Sequence, residues 1–475
     1  MKDLREWMAK VESIGELRTV EKAHWDLELG GIVDVCQEKM GRPALLFDRI
    51  PGYPAGYRVL ANVLTSMRRI ALSLGLSPEI DKLGLLKAWK TFYGNLRLIP
   101  PKFVKQGPVR ENILKGNEIN LLKFPTPKWH EADGGRFIGT GNLVIMKDPD
   151  TGWVNVGTYR VQLHDEKTAG LMITRGRHGD IILRKYWAMG KPCPVAVSLG
   201  QDPLLLMLGG IQIPFGVCEY DVAGGIRNEP VEVMEGDETG LPIPANAEIV
   251  IEGEVPSDGF RDEGPFGEWQ GYYASGLRPM PVIKIKAIYH RDAPILLGVV
   301  PRKPPNDNTY YINFLGSAAI WEQMERAGIP GIQCVWNHEA GGARMWMTVS
   351  IKQMYPGHAK HAGMVAASCG MGGYSNRVVV VVDDDIDPFN SDEVIWAIST
   401  RVDVREDVDI IRKFYSGPLD PMAYPRESPM FNARMIIDAC RPWERRETFP
   451  AVVENSKEFR AKIIEKWSHL FDDIL

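Results

Sequence analysis

WVNVGTYRVQL, residues 153–163, alternates apolar and polar side chains around one glycine, and its reading decides the middle of the chain. Valine, threonine, tyrosine and tryptophan at period two favour a half-buried strand. LVIM (143–146) precedes it, and KDPDTG between the two is a hairpin turn by composition. Strict alternation would send Asn155 and Arg160, five positions apart, to opposite faces. Gly157 between them could carry a bulge that turns both toward one pocket.

Working outward, strands follow at VAVSLG (195–200), EIVIEGEV (248–255) and PVIKIKAIYH (281–290), with alternation clearest in the last two. Residues 116–310 therefore form a mostly antiparallel β-domain. Before it, Leu4, Trp7, Met8 and Val11 keep helical spacing with Gly15 at the helix end. PALLF (43–47) reads as a strand, and the Pro/Lys-rich PPKFVKQGP (100–108) as a linker closing an N-terminal α/β region, residues 1–115. In the C-terminal α/β domain, residues 311–475, Val378 to Val382 suit a strand buried on both faces. Ser391 then caps a helix with Asp392 and Glu393 in its first turn. Asp383, Asp384, Asp385 and Asp387 read as a solvated capping loop rather than a metal site. Phe459, Ile463, Trp467 and Leu470 stripe a last helix, as core or as subunit contact. The fold class is α/β, of the multidomain α+β kind.

With 475 residues, 44% of them hydrophobic, the chain can bury sizeable cores. A net charge of -5 gives no general basic field for nucleic acid or an anionic membrane. Asp3 and Glu6 exclude a signal peptide, and the most apolar stretch, 194–217, is broken by Gln201, Asp202, Pro203, Gln212 and Pro214. A cytoplasmic protein that binds neither nucleic acid nor membrane is expected. Six scattered cysteines without a C-x-x-C pair fit reduced, packed thiols.

DEGPFGE (262–268) holds Glu263 and Glu268 at the ends of a connector in which Pro265 removes a donor and Gly264 and Gly267 permit unusual φ. His178 sits in TRGRHGD with Arg175 and Arg177, a loop able to wrap a phosphate, and Glu219 follows the apolar PLLLMLGGIQIPF. Asn155, His178 and Glu219 offer an amide oxygen, an imidazole and a carboxylate. That set suits Mg²⁺ or Mn²⁺ bridging to a cofactor phosphate and is poor for structural zinc. His358 and His361 in GHAKHAG have ligand spacing but no adjacent acid, so a packed or capping role is expected. His130 and His338 carry no assignment, and Arg302 and Lys303 are surface charges unless they meet a polar substrate group.

NVGTYR, the Arg177–His178 pair, GVCEYDVAGGIRNEP and DEGPFGEWQGYY, in this order, together with GHAK (357–360) and VVVVVDDDIDPFNSDEVIWAISTR (378–401), resemble the UbiD family of prenylated-FMN-dependent decarboxylases. The likeness covers nearly the whole chain and is nearest to members acting on hydroxybenzoates or heteroaromatic acids. It implies that the central domain is a flavin-binding split β-barrel. It implies Mn²⁺ (or Mg²⁺) at Asn155, His178 and Glu219, accompanied by K⁺. Thr158, Tyr159, Arg160, Arg175, Arg177 and His178 fall on the cofactor-binding stretch, with Lys360 as a further contact; some members have Gln-His at the Arg177–His178 pair. Glu263, Arg160 and Glu268 fall on the family's Glu-Arg-Glu network.

The implied reaction is reversible, non-oxidative decarboxylation of an aromatic or heteroaromatic acid through a covalent adduct with prenylated FMN. Loss of CO₂ from an sp² carbon needs an electron sink that side chains lack. A proton must then arrive, so two carboxyls sharing one arginine must differ in pKa. Glu268 is the expected donor, Glu263 its charged partner, and Arg160 the cation orienting both and the substrate carboxylate. The resemblance also implies a flavin prenyltransferase as cofactor supplier and at least a homodimer through the C-terminal domain. An ordinary FMN redox enzyme and a non-catalytic subunit of a larger complex are the alternatives; no G-x-G-x-x-G follows a strand.

Overall fold

The computed structural model describes residues 1–39, 42–370, 372–424 and 430–470. The first helix, Leu4–Ser13, is capped by the Asp3 carboxylate and buries Leu4, Trp7, Met8 and Val11, as their spacing predicts. It leads to a four-stranded sheet ordered Leu17–Glu21, Ala44–Asp48, Arg58–Ala61 and Ile295–Leu297. The last of these strands follows the final strand of the central sheet and pairs in parallel with Arg58–Ala61, so the chain returns to its first unit before entering its last.

The central sheet has ten strands. Its path runs Phe137–Gly139, Arg160–Leu163, Thr168–Met172, Arg278–His290, Ile249–Val255, Cys193–Leu199, Leu143–Lys147 and Val154–Gly157, with Asn112–Lys115 and Phe260–Glu263 also paired to Arg278–His290. The 153–163 stretch is thus two strands, not one. The first closes one end of the path and the second lies next to the other end, yet only Thr158 and Tyr159 separate them. Consecutive Cα atoms are about 3.8 Å apart, so Gly157 and Arg160 lie within about 11 Å of each other. The sheet must curl until its ends face, while no ladder joins those ends among the described residues. The result is a split barrel.

The break has a local cause. Thr158 gives both its backbone N–H (3.0 Å) and its hydroxyl (3.1 Å) to the carbonyl of Gly209 instead of to a neighbouring strand. Tyr159 folds its ring back over Gly157, where a Cβ would stand 2.8 Å from the ring. Gly157 therefore makes room for a ring rather than carrying the expected bulge, and the interruption itself puts Asn155 and Arg160 on one cavity.

Residues 100–108 are not a free linker. Lys102–Phe103 pairs in parallel with Glu232–Glu235, and Asn112–Lys115 belongs to the central sheet. Backbone pairing this short leaves no side-chain period to read. In the C-terminal unit a five-stranded sheet is ordered Ile332–Asn337, Trp346–Ile351, Val378–Asp383, Phe431–Asp438 and Val408–Tyr415. Val379 and Val381 face the main core, and Val380 and Val382 face the helix Ser391–Arg401, as the valine run predicts. That helix is capped by Asn390, which accepts from the Asp392 N–H, and not by Ser391. The acidic loop before it is an ion-pair network: Arg401 grips Asp385 through two 2.9 Å bonds, and Arg401 and Arg441 both approach Asp383. The terminal helix Lys457–Lys466 leaves Phe459 half exposed, with Trp467 and Leu470 also exposed beyond its end, so no described residue of this chain covers that stripe.

The helix Asp307–Arg326 locks the units together. It packs on Lys82–Gly94 of the first unit, and its buried Asp307 accepts from the Val63 (3.1 Å) and Leu64 (2.7 Å) N–H groups. Cys193, Cys218, Cys334, Cys369 and Cys440 form no disulfide, and no helix among the described residues is long and apolar enough to cross a membrane. Gly157→Ala drives a methyl into the Tyr159 ring; it is expected to cost about 1–3 kcal/mol and to lower the melting temperature in a thermal scan, with Val156→Ala as a reference for simple loss of volume.

Candidate active site

Arg160 opens its strand and Gln162 follows on the same face, since side chains repeat every second residue. Both grip the connector after the strand Phe260–Glu263. Arg160 Nε and Nη2 donate to the two carboxylate oxygens of Glu263 at 2.7 and 2.9 Å, and Nη1 donates to Oε1 of Glu268 at 2.8 Å. Gln162 Oε1 accepts from the Gly264 N–H at 3.0 Å. Gly264 takes φ +88°, as its place in the turn requires, and Gly134 donates to the Pro265 carbonyl at 2.8 Å. A Cβ on Gly134 would meet the Gly264 oxygen at 1.8 Å, so only glycine permits this approach. Phe266 lays its ring 4.8 Å from the Arg160 guanidinium and packs on Phe137. The turn is rigid, and it fixes both carboxyls on one cation.

The two acids are not equivalent. Glu263 is fully buried and takes the bidentate bond, behind Arg160 and away from the cavity. Glu268 has a single bond to Arg160 and lines the cavity. Burial pushes the Glu268 carboxyl above the ordinary range, opposed by Arg160 and reinforced by the charge of Glu263. Burial acts against the charge of Arg160 too, but the hydrogen bonds and charges of the two glutamates outweigh it, and its pKa is raised.

The cavity, of about 710 Å³, runs from Glu268 to a second cluster. There the Tyr159 hydroxyl accepts from the Gly179 N–H (3.0 Å) and from the Asn155 amide (3.3 Å). Glu219 begins the helix Glu219–Arg227, is 4% exposed, and accepts from the Val156 N–H through Oε2 at 2.8 Å. No cation among the described residues pairs with Glu219, and burial pushes its carboxyl up to about 8. His178 is not in a loop: it is the first residue of the helix His178–Ala188, set edge-on against the paired rings of Trp153 and Phe215. Burial and Arg177 lower its pKa, which favours the neutral imidazole that ligates metal. Asn155, His178 and Glu219 all line this end of the cavity. An uncompensated buried carboxylate beside an amide and a neutral imidazole fits a hard divalent cation. A helix N-terminus at the same place fits a phosphate.

Thr158, Tyr159, Arg175 and Arg177 also line the cavity. Lys360 does not: it donates to the Glu406 carbonyl at 2.9 Å and approaches Asp409, on the C-terminal sheet. Arg302 ties to Asp34, His358 stacks on Tyr355, and His361 meets the Tyr355 hydroxyl, all outside the cavity. Among the described residues no group of three or more His, Cys, Asp or Glu could hold a metal, so no rival metal centre of that kind competes with the Asn/His/Glu set. The far wall, with Trp269, Tyr311, Arg344 and Tyr374, was not anticipated. Its only sequence signal is the pair of glycine-rich strings GGARMW (341–346) and GGYSN (372–376).

Three family models match in chain order: the 3-octaprenyl-4-hydroxybenzoate carboxy-lyase N-terminal domain over residues 8–86, its Rift-related domain over 102–304, and its C-terminal domain over 309–439. The pyrrole-2-carboxylic acid decarboxylase of Pseudomonas aeruginosa is 30% identical over 491 residues, covering 98% of this chain and 97% of that one. The chain belongs to the UbiD family. The family is one of multidomain α/β carboxy-lyases, and the fold agrees in full. The vanillic acid decarboxylase of Sedimentibacter hydroxybenzoicus in its open form superposes with a TM-score of 0.87 at 29% identity, covering 100% of both chains. An evolved dimeric form of the UbiD-class enzyme HmfF from Pelotomaculum thermopropionicum, in complex with prFMN, superposes with a TM-score of 0.84 at 27% identity, covering 98% of this chain and 100% of that one.

For this UbiD-family chain, Arg160→Met leaves the buried Glu263 without its cation and is expected to cost about 3–5 kcal/mol in chemical denaturation. Adding Glu263→Gln to Arg160→Met removes the stranded charge and is expected to recover part of that loss.

Proposed function

We propose that this protein removes CO₂ reversibly from an aromatic or heteroaromatic carboxylic acid, using prenylated FMN held in the cavity between the Glu268 turn and the Asn155/His178/Glu219 cluster. The observation that carries the reading is the unequal sharing of Arg160 by two carboxyls at the edge of that cavity. Asn155, His178 and Glu219 would hold Mn²⁺ or Mg²⁺, accompanied by K⁺, against the cofactor phosphate. The Arg175–His178 segment at the helix N-terminus would supply donors and positive charge to the same phosphate. The bound cofactor supplies the electron sink for the carbon–carbon bond electrons.

The protein's own groups do the rest. Arg160 uses three of its five N–H donors on the glutamates, which leaves two for the substrate carboxylate. Glu263 keeps the guanidinium aimed through its bidentate bond. Glu268, its carboxyl shifted toward the neutral form by burial, gives its proton to the ring carbon as CO₂ departs, and takes a proton back in the carboxylation direction. Phe266 and Trp269 flank this acid and keep water from it. Dimerisation would use the uncovered stripe on the terminal helix.

The direct test is co-expression with a flavin prenyltransferase, anaerobic purification, and measurement of CO₂ release and ring deuterium exchange over hydroxybenzoates, furoates and pyrrole carboxylates. Release without exchange, or neither, would defeat the proposal. Glu268→Gln is expected to lower kcat by about 10²- to 10⁴-fold while the flavin absorbance is retained. The donor must be protonated, and its pKa is raised. Activity in the decarboxylation direction is therefore full below that raised pKa and falls as pH climbs through it, a limb that disappears from the residual rate of Glu268→Gln. Glu219→Gln is expected to lose bound metal by elemental analysis and, with it, flavin during gel filtration.

A further inference from the structure

Every other arginine that lines the cavity is accounted for by the reading above; Arg344 is not. It stands in the loop after the strand Ile332–Asn337 of the C-terminal unit and reaches the cavity wall. Its guanidinium lies 5.6 Å from the Trp269 ring and 5.5 Å from the Tyr374 ring. Among the described residues no carboxylate pairs with it, and its Nε is buried without a hydrogen-bond partner. Arg177 rests on the same Tyr374 ring, at 5.6 Å, so two cations flank one aromatic plate.

We propose that Arg344 is a specificity-determining residue that receives a second acidic group, a carboxylate or an ionised hydroxyl, on the ring of the substrate. The inference rests on the decarboxylase reading and narrows its substrate class to aromatic acids that carry such a group. The reacting carboxylate has its own cation in Arg160, so it does not need Arg344. The cofactor phosphate has the metal cluster and the helix N-terminus at His178. Trp269, against which Arg344 lies, directly follows the proton donor Glu268 in sequence, which places the free guanidinium on the wall of the substrate chamber. A partly buried cation whose Nε is enclosed without a partner costs free energy, and an anion arriving with the substrate lowers that cost. Burial and the nearby Arg177 hold the Arg344 pKa below its usual value, as an uncompensated charge requires.

The test uses the holoenzyme with prenylated FMN and two variants, Arg344→Met and Arg344→Lys. Steady-state constants are measured for aromatic monoacids and for the same rings bearing a second carboxylate or a hydroxyl. Dissociation constants for the same acids are read from quenching of protein fluorescence. The wild type is expected to favour the doubly acidic rings. Arg344→Met is expected to raise their KM and Kd about 10- to 100-fold, to leave the monoacids within about twofold, and to keep the flavin content, with Arg344→Lys restoring part of the loss. Equal losses on both classes, flavin missing from Arg344→Met, or a wild type indifferent to the second group would each overturn the proposal. A wild type that decarboxylates no aromatic acid would sink the decarboxylase reading instead, and the Arg344-dependent difference in Kd would still decide this one.

Discussion

The site depends on a passage of two residues. Between Gly157 and Arg160 the chain leaves one end of the curled sheet and enters the other, carrying only Thr158 and Tyr159 across. Because the gap is so short, the barrel has to close to within a few residues' reach, and the closure brings Asn155, a metal-ligand candidate, and Arg160, the cation shared by two glutamates, to the same hollow. Tyr159 braces both sides, since its hydroxyl joins the Asn155 amide to the Gly179 N–H of the His178 helix. Thr158 spends its backbone and side-chain donors on Gly209 and so cannot continue the ladder. A fold decision and a functional one are made by the same pair of side chains.

The two ends of the cavity then follow opposite electrostatic rules. At one end a single guanidinium serves two acids, and geometry divides it unequally: a bidentate bond for the enclosed Glu263, a single bond for the cavity-facing Glu268. Burial raises the acid with the weaker hold, so the shift toward the neutral form falls on the group that can touch a ligand. At the other end Glu219 is enclosed with a backbone N–H and no cation, an arrangement that is costly alone and favourable once a divalent ion arrives.

The strands, the buried valine run and the first helix were legible because each shows a period that burial imposes. The pair Glu263 and Glu268 was legible through DEGPFGE, whose glycines and proline fix a turn, whereas the place of Arg160 between them came only from the family resemblance. The crossing at Thr158 was not, since the surrounding alternation continues unbroken and the break depends on a carbonyl fifty residues onward, at Gly209. His178 reads as loop because glycines and arginines surround it, yet the helix starts there, where poor helix formers are tolerated. Lys360 shows the limit of transferring a string: GHAK is a helix start whose lysine turns to the sheet strand Val408–Tyr415 and to the Glu406 carbonyl.

Arg344 and Tyr374 of the far wall come from the C-terminal unit, Arg344 about 180 residues beyond Arg160. Nothing local in sequence can announce such a residue, because the sheet that carries it is joined to the barrel by packing and by anchors such as Asp307 on the Val63 and Leu64 N–H groups. This division has a physical consequence. Arg160 and Glu263 sit on strands, Glu268 on the turn they grip, and Asn155, His178 and Glu219 on a strand and two helix starts, whereas Arg344 and Tyr374 opposite stand on glycine-flanked loops. Substitutions in those loops can reshape what the cavity accepts without disturbing the spacing of Arg160, Glu263 and Glu268. On the proposed reading, chemistry and selection would be carried by separate units of one cavity, and the loop cation at 344 would be the point where the second acts on the first through the ligand alone.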